Sequence, residues 1–324
     1  MSPKSHRNAL VSMGNLRSLT TDEVPGSKYH AFTGGKGDAN RMERQKRVLA
    51  IHDISGVGKC SLTVALPIVS AAGVECSVLP TAVLSTHTGG FTGFTYRDLT
   101  EDISPIITHW QSLHLKFDGI YTGFLGSFEQ IQLVGDAFSA LADKDTLLVV
   151  DPVMADGGKL YTIFDDTFPP AMKGLCSKAD VILPNMTEAA FMLGEEYQEG
   201  PYTHDYVEGL LHRLVKEIPV QGIVLTGVYF DEKELGAAVY DVGKGNIHYV
   251  LGRNIPGSYH GTGDVFGSAF VGAAVSGKDM VSAARIAVDY TVECIAWTKE
   301  AGTDIRYGVN FERYLGDYSR KLGL

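Results

Sequence analysis

Gly261-Thr262-Gly263-Asp264 opens an apolar run, Val265-Phe266-Gly267-Ser268-Ala269, and makes the most specific chemical suggestion in the chain. Glycines at a helix start let backbone N–H groups face an anion, and the helix dipole favours negative charge there. A lone acid in a first helical turn is usually only a dipole-matching residue or cap. Here the carboxylate follows directly on Gly-x-Gly. It could take a proton from a hydroxyl that attacks a phosphoryl group, while the amides stabilise the phosphoryl oxygens.

Two other glycine clusters fare less well. Gly56-Val57-Gly58-Lys59-Cys60-Ser61 follows an apolar strand and looks like the end of a P-loop. That motif needs Gly where Asp53 stands and Ser or Thr where Cys60 stands, and a dinucleotide fingerprint needs Gly where Ser61 stands. The loop reads instead as a tight strand-to-helix turn lining a pocket. Gly34-Gly35-Lys36-Gly37-Asp38-Ala39-Asn40 echoes a sugar-kinase glycine motif, but no convincing helix follows it, so it reads as coincidence.

The elements that must position these residues follow from periodicity. Strands are expected at 47–54, 74–84, 117–124, 146–153, 181–184 and 222–226, with Ser55–Gly58 as a loop. Helices are expected at 61–72 (closed by Gly73), 103–114, 128–142, from about 187, from about 206, at 264–275 and at 280–298. Strands alternating with helices of this length imply βαβ units and a mostly parallel sheet. Runs such as LLVV and GIVL are apolar throughout, as strands covered on both faces require. Residues 235–241 and 247–251, joined through Gly243, Lys244 and Gly245, predict a hairpin that adds antiparallel strands near the end of the sheet. A ligand site is then expected at the C-terminal ends of the parallel strands.

Composition bounds the rest. The 324 residues carry 28 Lys+Arg and 38 Asp+Glu, a net charge of −10, which argues against a nucleic-acid-coating protein. Residues 1–47 have a surplus of +5 and the remainder −15. Residues 1–46 lack a sustained hydrophobic period and are expected to form a disordered extension, with 47–324 as a single domain. A chain starting at Met42 would read as complete, so the residues before it are expected to be a leader or a misplaced start rather than a targeting segment. Cys60, Cys76, Cys176 and Cys294 are dispersed, which suits buried thiols in a reducing compartment and not a zinc site. No run of 18 apolar residues indicates a membrane span. The expectation is a cytoplasmic protein.

Several motifs in order resemble a known family. Gly261–Asp264, with Asp151-Pro152-Val153-Met154 and Asn185-Met186-Thr187-Glu188 upstream, resembles the ribokinase-like superfamily, and within it the vitamin B6 kinases. Ser85-Thr86-His87-Thr88, Gly123-Phe124-Leu125-Gly126-Ser127 and the Asp151…Asp156…Tyr161 spacing add to the match, which spans roughly Arg47 to Thr298. The resemblance implies a three-layer α/β fold and ATP-dependent phosphorylation of the 5′-hydroxymethyl group of a B6 vitamer. It implies Asp264 as general base and the backbone of Gly261, Thr262 and Gly263 as the anion hole. Asp151 and Glu188 would organise Mg²⁺ through water. Asp156, Tyr161, Asn185 and Thr226 would lie by the ATP phosphates, and Asp53, Ser55, Thr88 and Phe124 by the pyridine ring. K⁺ is a candidate assistant and a homodimer is implied, with no nucleic-acid or membrane partner.

Plainer readings stand beside these. Asp151 before Pro152 could terminate a strand, Asn185 and Glu188 could be a helix cap, and His87 and Thr88 ordinary loop residues. The chain also departs from the better-known B6 kinases. His52-Asp53-Ile54-Ser55-Gly56 is closer to the Ser-Asp-x-Ser-Gly loop of hydroxymethylpyrimidine kinases, Phe124 replaces a common Tyr, and His260 precedes the glycine motif. A hydroxymethylpyrimidine kinase is therefore the runner-up. A non-catalytic vitamer- or nucleotide-binding protein would be expected to have lost the base or the anion hole. With anion binding assigned to helix amides and Mg²⁺, Lys59 is expected as a local helper.

Overall fold

The computed structural model describes residues 44–324. Of the expected extension at 1–46, residues 1–43, including Gly34–Asn40 and Met42, lie outside them, whereas Arg44 pairs with Asp118 and Lys46 Nζ donates to the Val275 carbonyl. The first strand, β1 (Arg47–Val57), alternates its side chains between two apolar layers. Val48 and Ala50 pack into one, Leu49 and Ile51 into the other, and all four are fully buried. That period of two in a wholly apolar run is what a strand covered on both faces requires.

Helix α1 (Leu62–Ala71), strand β2 (Glu75–Thr86), strand β3 (Tyr96–Asp98), helix α2 (Thr100–Ser112), strand β4 (Gly119–Thr122), helix α3 (Phe128–Leu141) and strand β5 (Leu147–Val150) follow. Next come a small ribbon, β6 (Ala155–Asp156) and β7 (Lys159–Leu160), then α4 (Phe168–Cys176), β8 (Val181–Ile182), α5 (Met186–Met192), α6 (His204–Glu217) and β9 (Gly222–Val228). The hairpin β10 (Glu234–Asp241) and β11 (Asn246–Arg253) precedes α7 (Thr262–Val275), α8 (Met280–Glu300) and α9 (Leu315–Leu322). Helices α1, α7, α8 and α9 cover one face of the sheet; α2 to α6 cover the other.

The described residues form a nine-stranded sheet in the order β11-β10-β9-β8-β5-β4-β1-β2-β3. Strands β2, β1, β4, β5, β8 and β9 are parallel. The hairpin is antiparallel, as expected. So is β3, a three-residue exposed strand at the opposite edge that the sequence reading missed. Also missed were the β6–β7 ribbon, α4 and α9, all too short to show a period.

Strand β1 does not stop at Ile54. Its register with β2 shifts between His52 and Ile54, then resumes to Val57 against Thr86. The expected loop at Ser55–Gly58 is therefore mostly strand, and Asp53 sits at an irregularity that re-aims its side chain. Because β2 lies on one side of β1 and β4 on the other, the strand order reverses at β1. A crevice is expected there, beyond the strand C-termini.

Candidate active site

Asp264 stands in the first turn of α7, with its Oδ1 3.9 Å from Nδ1 of His52 on β1. Gly261 caps the helix with φ 77°, a left-handed conformation that suits glycine. A Cβ at Gly261 would also fall on the carbonyl oxygen of Lys59, so the helix N-terminus can approach the β1–α1 turn only without a side chain there. Burial raises the proton affinity of Asp264 to a pKa of about 7, against a hydrogen bond from the Ser61 amide that lowers it, and the charge of Asp53 adds to the rise. A carboxylate with a pKa of about 7 at a helix N-terminus is suited to accept a proton.

Ser61 joins the first loop to this acid. Its hydroxyl donates to Asp53 Oδ1 at 2.6 Å, and Ser55 donates to Asp53 Oδ2 at 3.1 Å. Burial raises the proton affinity of Asp53, and these two hydroxyls oppose the rise. Ser61 holds φ 53°, unusual for a residue with a side chain. It stands where the dinucleotide fingerprint wants glycine, and it does adopt a positive φ. The failed fingerprint test thus located a real turn without revealing its purpose.

Asp151 and Glu188 form the second part of the site. Both are buried. The proton affinity of Asp151 is raised by burial, then by the charges of Glu188 and Asp264. Glu188 is raised to about 8 by burial, although backbone N–H groups donate to it. Its Oε2 accepts from the Asn185 amide at 2.9 Å and its Oε1 from the Met154 amide at 3.1 Å. Asn185 caps α5 in return, so the capping-box alternative is realised in full. The cap also pins the β6–β7 ribbon: Asn185 Nδ2 donates to the Ala155 carbonyl at 2.8 Å, and the Gly158 amide donates to Thr187 Oγ1 at 3.1 Å. Asp156 lies on the exposed side of that ribbon, and the exposed Tyr161 follows it, its proton affinity raised by desolvation and then by the charges of Glu188, Asp156, Asp151 and Asp264. Thr226 pairs with Asn185 in a short parallel bridge, and its amide donates to the Pro184 carbonyl at 2.8 Å.

Two buried carboxylates that repel each other suit a hard cation held by oxygen. Glu188 is already committed to backbone donors, and the described residues contain no group of three or more His, Cys, Asp or Glu set to hold a metal. The donor set therefore fits Mg²⁺ that keeps most of its waters.

The remaining expected residues divide. Phe124 is half-buried against Phe164, with ring centroids 5.9 Å apart. Thr88 is exposed. Its neighbour His87 is the buried partner: Nε2 donates to the Arg306 carbonyl at 2.6 Å, Nδ1 accepts from the Gly89 amide at 3.0 Å, and the ring lies 5.5 Å from His260. Lys59 is not a free phosphate helper. Its Nζ is bound to Asn310 at 2.7 Å and Glu312 at 3.1 Å, so it ties the first loop to the C-terminal segment. Sequence reasoning assigned no role to His52 or Ser61. The only signal was a polar pair, His52-Asp53, interrupting an apolar strand.

A family model described as phosphomethylpyrimidine kinase matches residues 66–309. The chain belongs to the phosphomethylpyrimidine kinase family. Among solved structures, it resembles a Bacteroides thetaiotaomicron protein provisionally described as a phosphomethylpyrimidine kinase and crystallised with pyridoxal. The two are 37% identical with a TM-score of 0.80, over 85% of this chain and 96% of the other. A pyridoxal kinase from Lactobacillus plantarum is 33% identical with a TM-score of 0.77, over 84% and 96%. A pyridoxal kinase of Histophilus somni is 25% identical over 235 residues, 71% of this chain and 81% of the relative. Membership in the phosphomethylpyrimidine kinase family makes the chain a phosphotransferase with an alcohol acceptor, and its fold is the ribokinase-like one its motifs suggested. No helix among the described residues is long and apolar enough to cross a membrane.

Proposed function

We propose that this kinase transfers the γ-phosphoryl group of ATP to the 5′-hydroxymethyl group of a vitamin B6 vitamer, a pyridoxal kinase activity. The observation that carries the reading is Asp264, a carboxylate with a pKa of about 7 set between the Gly261 turn and the Ser61 amide. Asp264 takes the hydroxyl proton as the hydroxyl oxygen bonds to the γ-phosphorus. The bond from that phosphorus to the β,γ-bridging oxygen breaks, and ADP leaves with the electron pair. Amides at Gly261, Thr262 and Gly263 would hold the equatorial oxygens, a role the helix dipole strengthens. Asp151 and Glu188 would hold Mg²⁺ through water, and bound Mg²⁺ neutralises phosphate charge. Asn185, Thr226, Asp156 and Tyr161 would border the phosphates; Asp53, Ser55, Thr88 and Phe124 would border the ring.

Two relatives support the B6 acceptor: the Lactobacillus plantarum enzyme by its name and the Bacteroides thetaiotaomicron protein by its pyridoxal. A second reading, hydroxymethylpyrimidine kinase, is favoured by the family description and by Asp53-Ile54-Ser55-Gly56. A substrate panel with MgATP, with and without K⁺, separates them. Turnover of pyridoxal, pyridoxine or pyridoxamine well above hydroxymethylpyrimidine is the expected result. Turnover of the pyrimidine alone would replace the proposal with the second reading.

A further inference from the structure

His52 lies in the middle of β1 with no exposed surface, and neither ring nitrogen has a hydrogen-bond partner among the described residues. A buried polar group left this way costs stability, because its water hydrogen bonds are lost and not replaced. For stability alone, an apolar side chain would serve better. Yet the surroundings are shaped around this imidazole. Its ring meets Tyr121 edge-on at 4.6 Å. Gly123, just beyond β4, has no side chain where a Cβ would fall on His52 Nδ1. That same Nδ1 lies 3.9 Å from Asp264 Oδ1. The hydroxyls of Tyr121 and Ser268 are likewise buried without a hydrogen-bond partner among the described residues.

Full burial drives the imidazole pKa down to about 3, so the ring is neutral and does not form an ion pair with Asp264. A neutral imidazole still has one N–H to donate. At 3.9 Å the contact is too long for a direct hydrogen bond. Contacts of catalytic groups are often this long without substrate and tighten in the Michaelis complex.

We propose that His52 is a positioning residue for the base: its Nδ1–H faces the Asp264 carboxylate and closes onto it when the acceptor alcohol binds, fixing the oxygen that takes the proton. The assignment rests on the kinase reading above and adds to it a fully buried residue behind the base. A misplacement of about 1 Å at a reacting group can cost on the order of 100-fold, so the effect should fall on kcat.

Two measurements test this on the full chain. Nitrogen-15 NMR of the histidine side chains, recorded with saturating pyridoxal and no nucleotide, reads the closed contact without catalysis: the neutral His52 ring should carry its proton on Nδ1, and its signal should differ between the parent and Asp264→Asn. A proton on Nε2, or an unmoved signal, would overturn the proposal. The second measurement is steady-state kinetics on the best acceptor of the panel. His52→Asn keeps an N–H near the Nδ1 position and should retain kcat within about threefold, whereas His52→Gln and His52→Leu should lose about 10- to 100-fold in kcat with KM for ATP little changed. Equal kcat in all three variants would refute positioning. If His52→Leu fails to fold, the Asn–Gln pair decides alone. If no acceptor in the panel is phosphorylated, the kinase reading fails, while the NMR result still decides the His52 contact.

Discussion

Ser61 donates its hydroxyl to Asp53 across 2.6 Å, while its backbone amide lies close enough to Asp264 to lower that acid's proton affinity. One residue in a left-handed conformation thus stands between the acid of the first strand and the acid of α7. Replacing the side chain separates its two roles, because the backbone amide stays. Ser61→Ala should destabilise the protein by about 1–3 kcal/mol, since Asp53 is left buried with fewer donors. The acceptor KM should rise more than kcat falls. Ser61→Gly loses the same hydroxyl but accepts φ 53° freely. It should therefore be the more stable of the two in urea melts; the reverse order would mean that the turn is not strained.

Asp264 governs both the pH profile and part of the pH-dependent stability. The base must be ionised, so kcat/KM should rise with pH through about 7. Asp264→Asn should lose about 10²–10⁴-fold in kcat and lose that limb of the profile. The stability effect has the opposite sign. The native carboxyl binds its proton more tightly than the unfolded one, at about 7 against 3.8, so the native state loses stability as pH rises through that window. The loss is complete above about 7 and amounts to roughly 4 kcal/mol at most. Asp264→Asn should therefore melt higher than the parent at pH 8, with the gap shrinking toward pH 4. Equal melting temperatures at pH 8 would count against a buried ionised base.

Gly261 and Gly263 flank Thr262 but differ in what they tolerate. Gly261→Ala places a Cβ on the Lys59 carbonyl in a left-handed backbone, which costs more than the 1–3 kcal/mol of backbone strain alone. Nothing lies within 4 Å of a Cβ at Gly263, which has ordinary helical geometry. Gly263→Ala should fold as well as the parent or better, by about 0.4–1 kcal/mol. Thermal melts of the two variants test the difference.

Much of the fold was legible because its signals are local. Short β-rich or apolar runs placed β1, β5 and β9, and the Gly243–Gly245 link between two such runs placed the hairpin. Asn185 and Glu188 were readable as a cap from three-residue spacing, and the cap forms. What that spacing did not show is that the cap's own side chains reach on to the next element: the Glu188 carboxylate accepts from the Met154 amide, and the Asn185 side-chain amide donates to the Ala155 carbonyl of the β6–β7 ribbon. Strand β3 was missed because three exposed residues carry no burial pattern; only pairing with β2 makes them a strand. Lys59 looked free because Asn310 and Glu312 lie at the other end of the chain.

The sequence by itself determined the parallel core, the glycine-flanked acid at the start of α7 and the order of the motifs. These depend on periodicity and on backbone demands that neighbouring residues express. Only the tertiary structure decided which groups share a dielectric environment. His52 and Asp264 are remote in the chain, and Asp151 and Glu188 belong to different elements. The proton affinities of all four follow first from burial, and that of Asp151 also from the charges of Glu188 and Asp264, and these surroundings exist only once the strands are ordered around β1 and α7 packs over the sheet.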